Sequence, residues 1–169
     1  MAKMVLVAFA SKYGSTEQIA EKIALRLRKA GLEADVRDVD TLEDISGYSA
    51  AVVGSGVYAG QWLKPAAEFL RTRADELAEM PVWLFSDGPT GEGDPVALMK
   101  GWKFPETLQP AADRIGPKDI ILFHGELEMD KLRFAEKMIV RALKAPTGDF
   151  RDWDTIHEWA DGIAKELKK

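Results

Sequence analysis

Four apolar runs punctuate the chain: MVLVAFA at 4–10, AAVVGS at 50–55, PVWLFS at 81–86 and DIILFHG at 119–125. Each is nearly continuous, the pattern of a parallel strand covered on both faces. A fifth stretch, EADVRDV at 33–39, alternates and suits an edge strand. After the first run, STEQIAEKIALRLRKAG repeats Ile19, Ile23 and Leu27 every four residues, with Ala20 and Ala24 in the same stripe. That spacing predicts an amphipathic helix. Ser15 and Gln18 have capping-box spacing, and Gly31 is a natural stop. A second helix is predicted over 63–80, with Pro65 in its first turn and the chain released before Pro81. Residues 130–144 give a third helical pattern and 152–167 a fourth, capped by Asp152 or Asp154. The proline-rich segment 88–117 predicts an irregular connection with short helices near 95–103 and 107–114.

Strands and helices alternating at this spacing indicate a doubly wound α/β sandwich with a five-stranded parallel sheet in the order 2-1-3-4-5. No internal repeat or linker divides the chain, so a single domain over 1–169 is expected. In this topology the winding changes direction between the first and third strands, and ligands bind there, outside the carboxyl ends. Three loops leave such ends, at 10–16, 54–62 and 86–94, and all are rich in small, hydroxyl or aromatic residues.

The first loop carries Ser11, Lys12, Tyr13, Gly14, Ser15 and Thr16. Where it opens a helix, unpaired amides and the positive end of the helix dipole can hold a phosphate, and the hydroxyls can add further bonds. Lys12 is expected to face water. Neither the nucleotide P-loop pattern nor the dinucleotide G-x-G-x-x-G pattern is present. Taken alone, the loop is as readily a helix cap and turn. The second loop offers Ser55, Gly56, Val57, Tyr58, Ala59 and Gly60; Gly54 and Gly56 leave room, and Tyr58 presents a flat face. Trp62 serves either ring stacking or the start of the next helix. The third loop offers Ser86, Asp87, Gly88, Pro89, Thr90, Gly91, Gly93 and Asp94 to the polar edge of a heterocycle. An acid such as Asp94 would disfavour extra negative charge on a reduced ring, while Asp87 and Glu92 are alternatively solvated turn residues. A phosphate at one loop and a planar ring between two others describe flavin mononucleotide (FMN).

Composition narrows the alternatives. With 46% apolar and 30% charged residues the chain reads as a globule. A net charge of -5 argues against a general affinity for nucleic acid or anionic bilayers, although peripheral membrane contact stays open. The absence of cysteine excludes disulfides, thiol catalysis and iron–sulfur ligation. No apolar run reaches about 18 residues, so no transmembrane helix is expected. The N-terminal residues run straight into the patterned fold and do not read as a signal peptide, which makes the cytoplasm the expected location. His124, at the end of the last strand, is a structural hydrogen-bonder or a flavin contact; His157 suits packing or the surface. Trp83 is expected in the core. Trp102 and Phe104 are either tucked into the loop or exposed beside the cofactor edge. No protein nucleophile emerges, and no catalytic side chain is assigned.

FASKYGSTEQIA resembles the phosphate loop of the flavodoxin superfamily, usually T-x-T-G-x-T; Ser11, Gly14 and Thr16 match it, and Tyr13 and Ser15 depart in detail. GSGVYAGQW is similar to that superfamily's flavin-flanking loop after the third strand, and SDGPTGEGD to the next, without the usual aromatic. AFASKYGSTEQIAEKIA, VVGSGVYAGQWLKPAAEFL and APTGDFRDWDTIHEWADGI most resemble the flavodoxin-like, quinone-dependent protoporphyrinogen oxidases. Those enzymes carry a basic, aromatic loop before their fifth-strand helix that is thought to serve porphyrin or quinone. The corresponding HGELEMDKLRFAEKMIVRALK has Lys131, Arg133, Phe134, Lys137 and Arg141, but an acidic entry at Glu126, Glu128 and Asp130. The resemblance implies an FMN oxidoreductase passing electrons from a reduced organic donor to a quinone or other acceptor. The alternative is an electron carrier docking on redox proteins. Oligomeric state is left open.

Overall fold

A computed structural model describes residues 4–169. The elements run in the order β1 (Met4–Ala10), α1 (Ser15–Lys29), β2 (Glu33–Asp38), β3 (Ala50–Tyr58), β4 (Gln61–Trp62), α2 (Lys64–Thr72), α3 (Ala74–Leu77), β5 (Val82–Asp87), α4 (Pro95–Leu98), α5 (Gln109–Ile115), β6 (Asp119–Phe123), β7 (Glu126–Leu127), α6 (Phe134–Leu143), β8 (Gly148–Asp149) and α7 (Trp153–Leu167). The long strands are all parallel, in the order β2-β1-β3-β5-β6. This is the predicted 2-1-3-4-5 arrangement, with two short antiparallel additions: β4 as a hairpin on β3, and the separate β7–β8 pair, whose strands flank α6 in the chain.

Alternate strand residues face opposite layers. Val5, Val7 and Phe9 point towards Ile19, Ile23 and Leu27 of α1 and Ile156, Ile163 and Leu167 of α7. Leu6, Ala8 and Ala10 point towards Trp62, Phe69, Leu70, Leu77 and Ile115 on the other side. Ile19, Ile23 and Leu27 are wholly buried, which is worth roughly 1.5–3 kcal/mol each against leaving them in water. The stripe read from the sequence is therefore what fixes α1 to the sheet.

Local chemistry trims several predicted elements. The helix expected over 63–80 breaks at Arg73, which leaves helical geometry at φ -105°, ψ 11° and divides α2 from α3. The helix expected near 95–103 stops at Leu98. The third predicted helix begins at Phe134, after a 3-10 turn over Met129–Lys131. The capping box at Ser15 and Gln18 does not form. Gly14 takes the cap position at φ 94°, Ser15 turns its hydroxyl elsewhere, and the Gln18 side chain accepts a hydrogen bond from Arg151 instead. Asp152 caps α7 by accepting from the Thr155 amide at 3.2 Å. Trp83 lies in the core, and Phe104 is tucked edge-on against Trp62 with centroids 5.3 Å apart.

Register brings the loops together. Ala10 pairs with Ser55, Ser55 with Ser86, and Ser86 with Leu122, so four strands reach their carboxyl ends in one row.

Candidate functional site

Beyond that row lies a cleft of about 440 Å³, within the range of small-molecule sites. Lys12, Tyr13 and Ser15 line it from the first loop, Gly56, Val57 and Tyr58 from the second, and Asp87, Gly88 and Thr90 from the third. The topology thus brings parts of all three predicted loops to one cavity.

The first loop is shaped by its own hydrogen bonds. The Gly14 amide donates to Ser11 Oγ at 2.9 Å, and the left-handed turn at Gly14 aims the first amides of α1 at the cleft end of the sheet. Those first-turn amides have no carbonyl partner within the helix. The hydroxyls of Ser15 and Thr16 both donate to Asp87 Oδ2, each at 2.9 Å. Asp87 is 5% exposed, and its Oδ1 has no hydrogen-bond partner among the described residues. Burial raises its pKa to about 6, against the lowering effect of the two hydroxyls and of the more distant Arg151.

The walls are aromatic and apolar. Tyr13 and Tyr58 meet edge to face with centroids 6.4 Å apart, and the Lys12 ammonium lies over both rings at 5.2 and 5.6 Å. Lys12 is not simply turned to water: it pairs with Glu136 at 2.7 Å. Glu136 also accepts from the Tyr13 hydroxyl and from the Arg133 amide. Those donors, Lys12 foremost, hold the Glu136 carboxyl down to about 2. Partial burial, seconded by the Asp87 charge, pushes the Tyr58 phenol well above its ordinary range. Both tyrosines are therefore neutral donors at physiological pH.

Other predicted residues serve the frame of the site. Ser55 Oγ donates to the Gly56 carbonyl and accepts from the Leu63 amide. Ser86 Oγ accepts from Trp62 Nε1 and donates to the Lys103 carbonyl, which settles Trp62 as an anchor of the second loop. Ala59 and Gly60 both have positive φ, at 52° and 72°, the requirement of the two-residue turn that joins β3 to β4. Both ring nitrogens of His124 face carbonyl oxygens, those of Pro89 and Gly93, so this histidine clasps the third loop. Gly91 and Gly93 turn that loop with φ near 107°, and Asp94 caps α4 by accepting from the Ala97 amide, in a hollow away from the main cleft. Gly54, read as leaving room for a ligand, is instead covered by the Phe85 ring.

Sequence reasoning assigned no residue of the far wall to the cofactor site, although the wall lies in the segment matched by resemblance to a porphyrin or quinone loop. Gly125, Glu126 and Leu127 reach the cleft from the end of β6 and from β7, and Leu132, Glu136, Ile139 and Val140 from α6 and the turn before it. It also missed Arg151. The Arg151 guanidinium joins Glu126, Asp149 and Gln18 at 2.6–2.8 Å, tying β7 and β8 to α1.

This fold and this row of loops are those of a flavodoxin-type protein. The model of the flavodoxin domain family matches residues 6–154, and the chain belongs to that family. Among curated proteins it is similar to protoporphyrinogen IX dehydrogenase [quinone] of Escherichia coli strain K12, at 23% identity over 94% of this chain and 93% of the relative. Among solved structures it resembles a flavodoxin from the domain Archaea, with TM-score 0.63, 12% identity, and coverage of 98% of this chain and 99% of the other. It also resembles rubredoxin oxygen:oxidoreductase from Desulfovibrio gigas, with TM-score 0.64 and 16% identity, over 98% of this chain and 36% of that one.

Proposed function

We propose that the cleft holds FMN and that the protein is an oxidoreductase taking electrons from a reduced aromatic or tetrapyrrole-like donor and delivering them to a quinone or similar acceptor. The observation that carries this reading is the cleft's composition. A helix start with free amides lies at one end, two neutral tyrosines lie beside it, and Leu132, Ile139 and Val140 form an apolar wall opposite. When bound, FMN supplies the electron chemistry, which this chain has no thiol or metal cluster to provide among its described residues.

The residues present fit the group. The amides of α1 suit a phosphate. Gly56 lets the Tyr58 ring and the Thr16 hydroxyl close in on the end of β3, since a Cβ there would meet the ring at 3.0 Å and Thr16 Oγ1 at 3.3 Å. Tyr58 offers a ring face, and the third loop brings Thr90 to the cleft, where its amide suits the polar edge of a heterocycle; the Gly88 amide is already donated to the Phe123 carbonyl at 3.1 Å. The Lys12–Glu136–Tyr13 contact ties α6 to the first loop, so that Leu132, Ile139 and Val140 flank the site. An apolar flank favours a flat hydrophobic donor or acceptor over a purely protein partner. The E. coli relative, named for protoporphyrinogen IX and quinone, supports the same class of substrate.

The test is an absorbance titration of the protein with FMN, followed by anaerobic addition of protoporphyrinogen and of a menaquinone or ubiquinone analogue. Bleaching of bound flavin by the donor, with porphyrin fluorescence appearing, is the expected result. Tight FMN binding without that product, together with rapid reduction by a reductase protein, would establish an electron carrier instead. A protein that binds no FMN overturns both.

A further inference from the structure

The anion seat of this cleft contains an anion of its own. Ser15 and Thr16, at the start of α1, have one hydroxyl proton each, and both protons go to Asp87 Oδ2. A hydroxyl with one proton cannot donate to a carboxylate and to an incoming phosphate together. Neither can the carboxylate step aside freely. A Cβ on Gly125 would come within 2.9 Å of Asp87 Oδ1 and of the Gly88 carbonyl, so the backbone is closed in around that oxygen. The oxygen is buried, and nothing among the described residues donates to it.

Among the described residues no cation compensates the charge by contact. Lys12 is engaged with Glu136, and Arg151 with Glu126, Asp149 and Gln18. The groups facing Asp87 are the two α1 hydroxyls, the Tyr58 phenol from β3, the Glu126 carboxylate from β7 and the more distant Arg151 guanidinium ahead of α7. Glu126 disfavours the ionised form, Arg151 favours it, and burial outweighs both.

We propose that Asp87 is a proton-linked gate on the phosphate seat: a phosphomonoester enters with Asp87 neutral, and its binding takes one proton from solvent on to the Asp87 carboxyl. Protonation frees the Ser15 and Thr16 hydroxyl protons to turn to phosphate oxygens and makes the carboxyl a donor in place of a repelling charge. The pKa of about 6 leaves Asp87 mostly ionised in the free protein at pH 7.5, so the uptake is measurable there. The proposal rests on the FMN reading and deepens it.

The experiment compares wild type and Asp87→Asn by quenching of flavin fluorescence between pH 5.5 and 8.5, with riboflavin as the ligand that lacks phosphate. Taking the ratio of wild-type to variant Kd cancels the ionisation of the FMN phosphate itself. For FMN this ratio is expected to rise about tenfold per pH unit above pH 6.5, as one linked proton requires; for riboflavin it stays flat. Calorimetry of wild type in two buffers of different ionisation enthalpy at pH 7.5 should show close to one proton taken up per FMN, a readout that needs no variant. A ratio independent of pH, or no proton uptake, overturns the gate while leaving FMN binding standing. Absence of FMN binding by either protein at every pH overturns the cofactor reading, and the gate with it.

Discussion

Gly54 carries the sharpest steric prediction. It pairs with Phe85 across β3 and β5, and an ideal Cβ at Gly54 would lie 2.1 Å from Phe85 Cζ and 2.2–2.3 Å from the two Cε atoms. Carbon atoms in contact sit about 3.5–4.0 Å apart, so a Gly54→Ala methyl demands a ring displacement of roughly 1.5 Å. The ring has nowhere to go. Phe85 is wholly buried, with Phe123 and Trp159 packed against it at 5.7 and 6.1 Å. Overpacking of this kind typically costs 1–3 kcal/mol, and a rigid ring caught between rigid rings places Gly54→Ala at about 3 kcal/mol or more. Removing the ring instead, as Phe85→Ala, costs about 3–5 kcal/mol through lost burial and the cavity left behind. If the two penalties share one cause, they do not add. The double variant, in which the methyl enters the vacated space, should lie at least 1 kcal/mol closer to wild type than the sum of the singles. Urea denaturation followed by far-ultraviolet circular dichroism measures all four proteins. A Gly54→Ala protein within about 0.5 kcal/mol of wild type, or strict additivity in the cycle, would refute the packing argument.

Two further substitutions probe the site itself. The Asp87 pKa is raised in the native state to about 6 from an unfolded value near 3.9, so the native protein holds the extra proton between those values and stability falls as pH rises through that window. Asp87→Asn should therefore unfold like wild type near pH 4 and be more stable at pH 7, by roughly 2–3 kcal/mol, read from urea midpoints at the two pH values; equal stability at pH 7 refutes it. At Gly14, an added Cβ meets nothing within 4 Å, so only the left-handed backbone at φ 94° resists substitution; Gly14→Ala should cost about 1–2 kcal/mol and weaken FMN binding measured by fluorescence, and an unchanged protein on both counts refutes the strain.

How much of this was legible in the residues divides along physical lines. Continuous apolar runs and the Ile19–Ile23–Leu27 stripe declared the layers, because burial on both faces of a parallel strand leaves a pattern that no neighbouring element can erase. The positions of three loops at one sheet edge followed from topology. What escaped were contacts whose partners lie far along the chain. Glu136 is 124 residues from Lys12, and Arg151 is 133 from Gln18, so no local spacing could reveal either pair. Element ends escaped for a related reason. Ser15 and Gln18 have the composition of a capping box, yet each side chain found a stronger partner in a charged group, Asp87 for one and Arg151 for the other. A cap of neutral groups is worth about 1 kcal/mol. Hydrogen bonds to charged groups are worth about 1.5–3.

That competition also bears on the loop that resembles a phosphate loop. Its glycine and hydroxyls mark an anion seat in any chain where they are free to donate. Here the same hydroxyls are the donors that keep a buried carboxylate in place at the end of β5, and the sequence of the loop alone carries no sign of it. Asp87 stands beside Ser86, whose own hydroxyl is fixed by Trp62 and Lys103, so the strand end that presents the acid is held from both sides of the sheet. On the proposed gate, rigidity there makes a change of protonation the easier response to an incoming phosphate than a movement of the chain. In that proposal the seat is tuned by a residue 71 positions away from the Thr16 hydroxyl it holds.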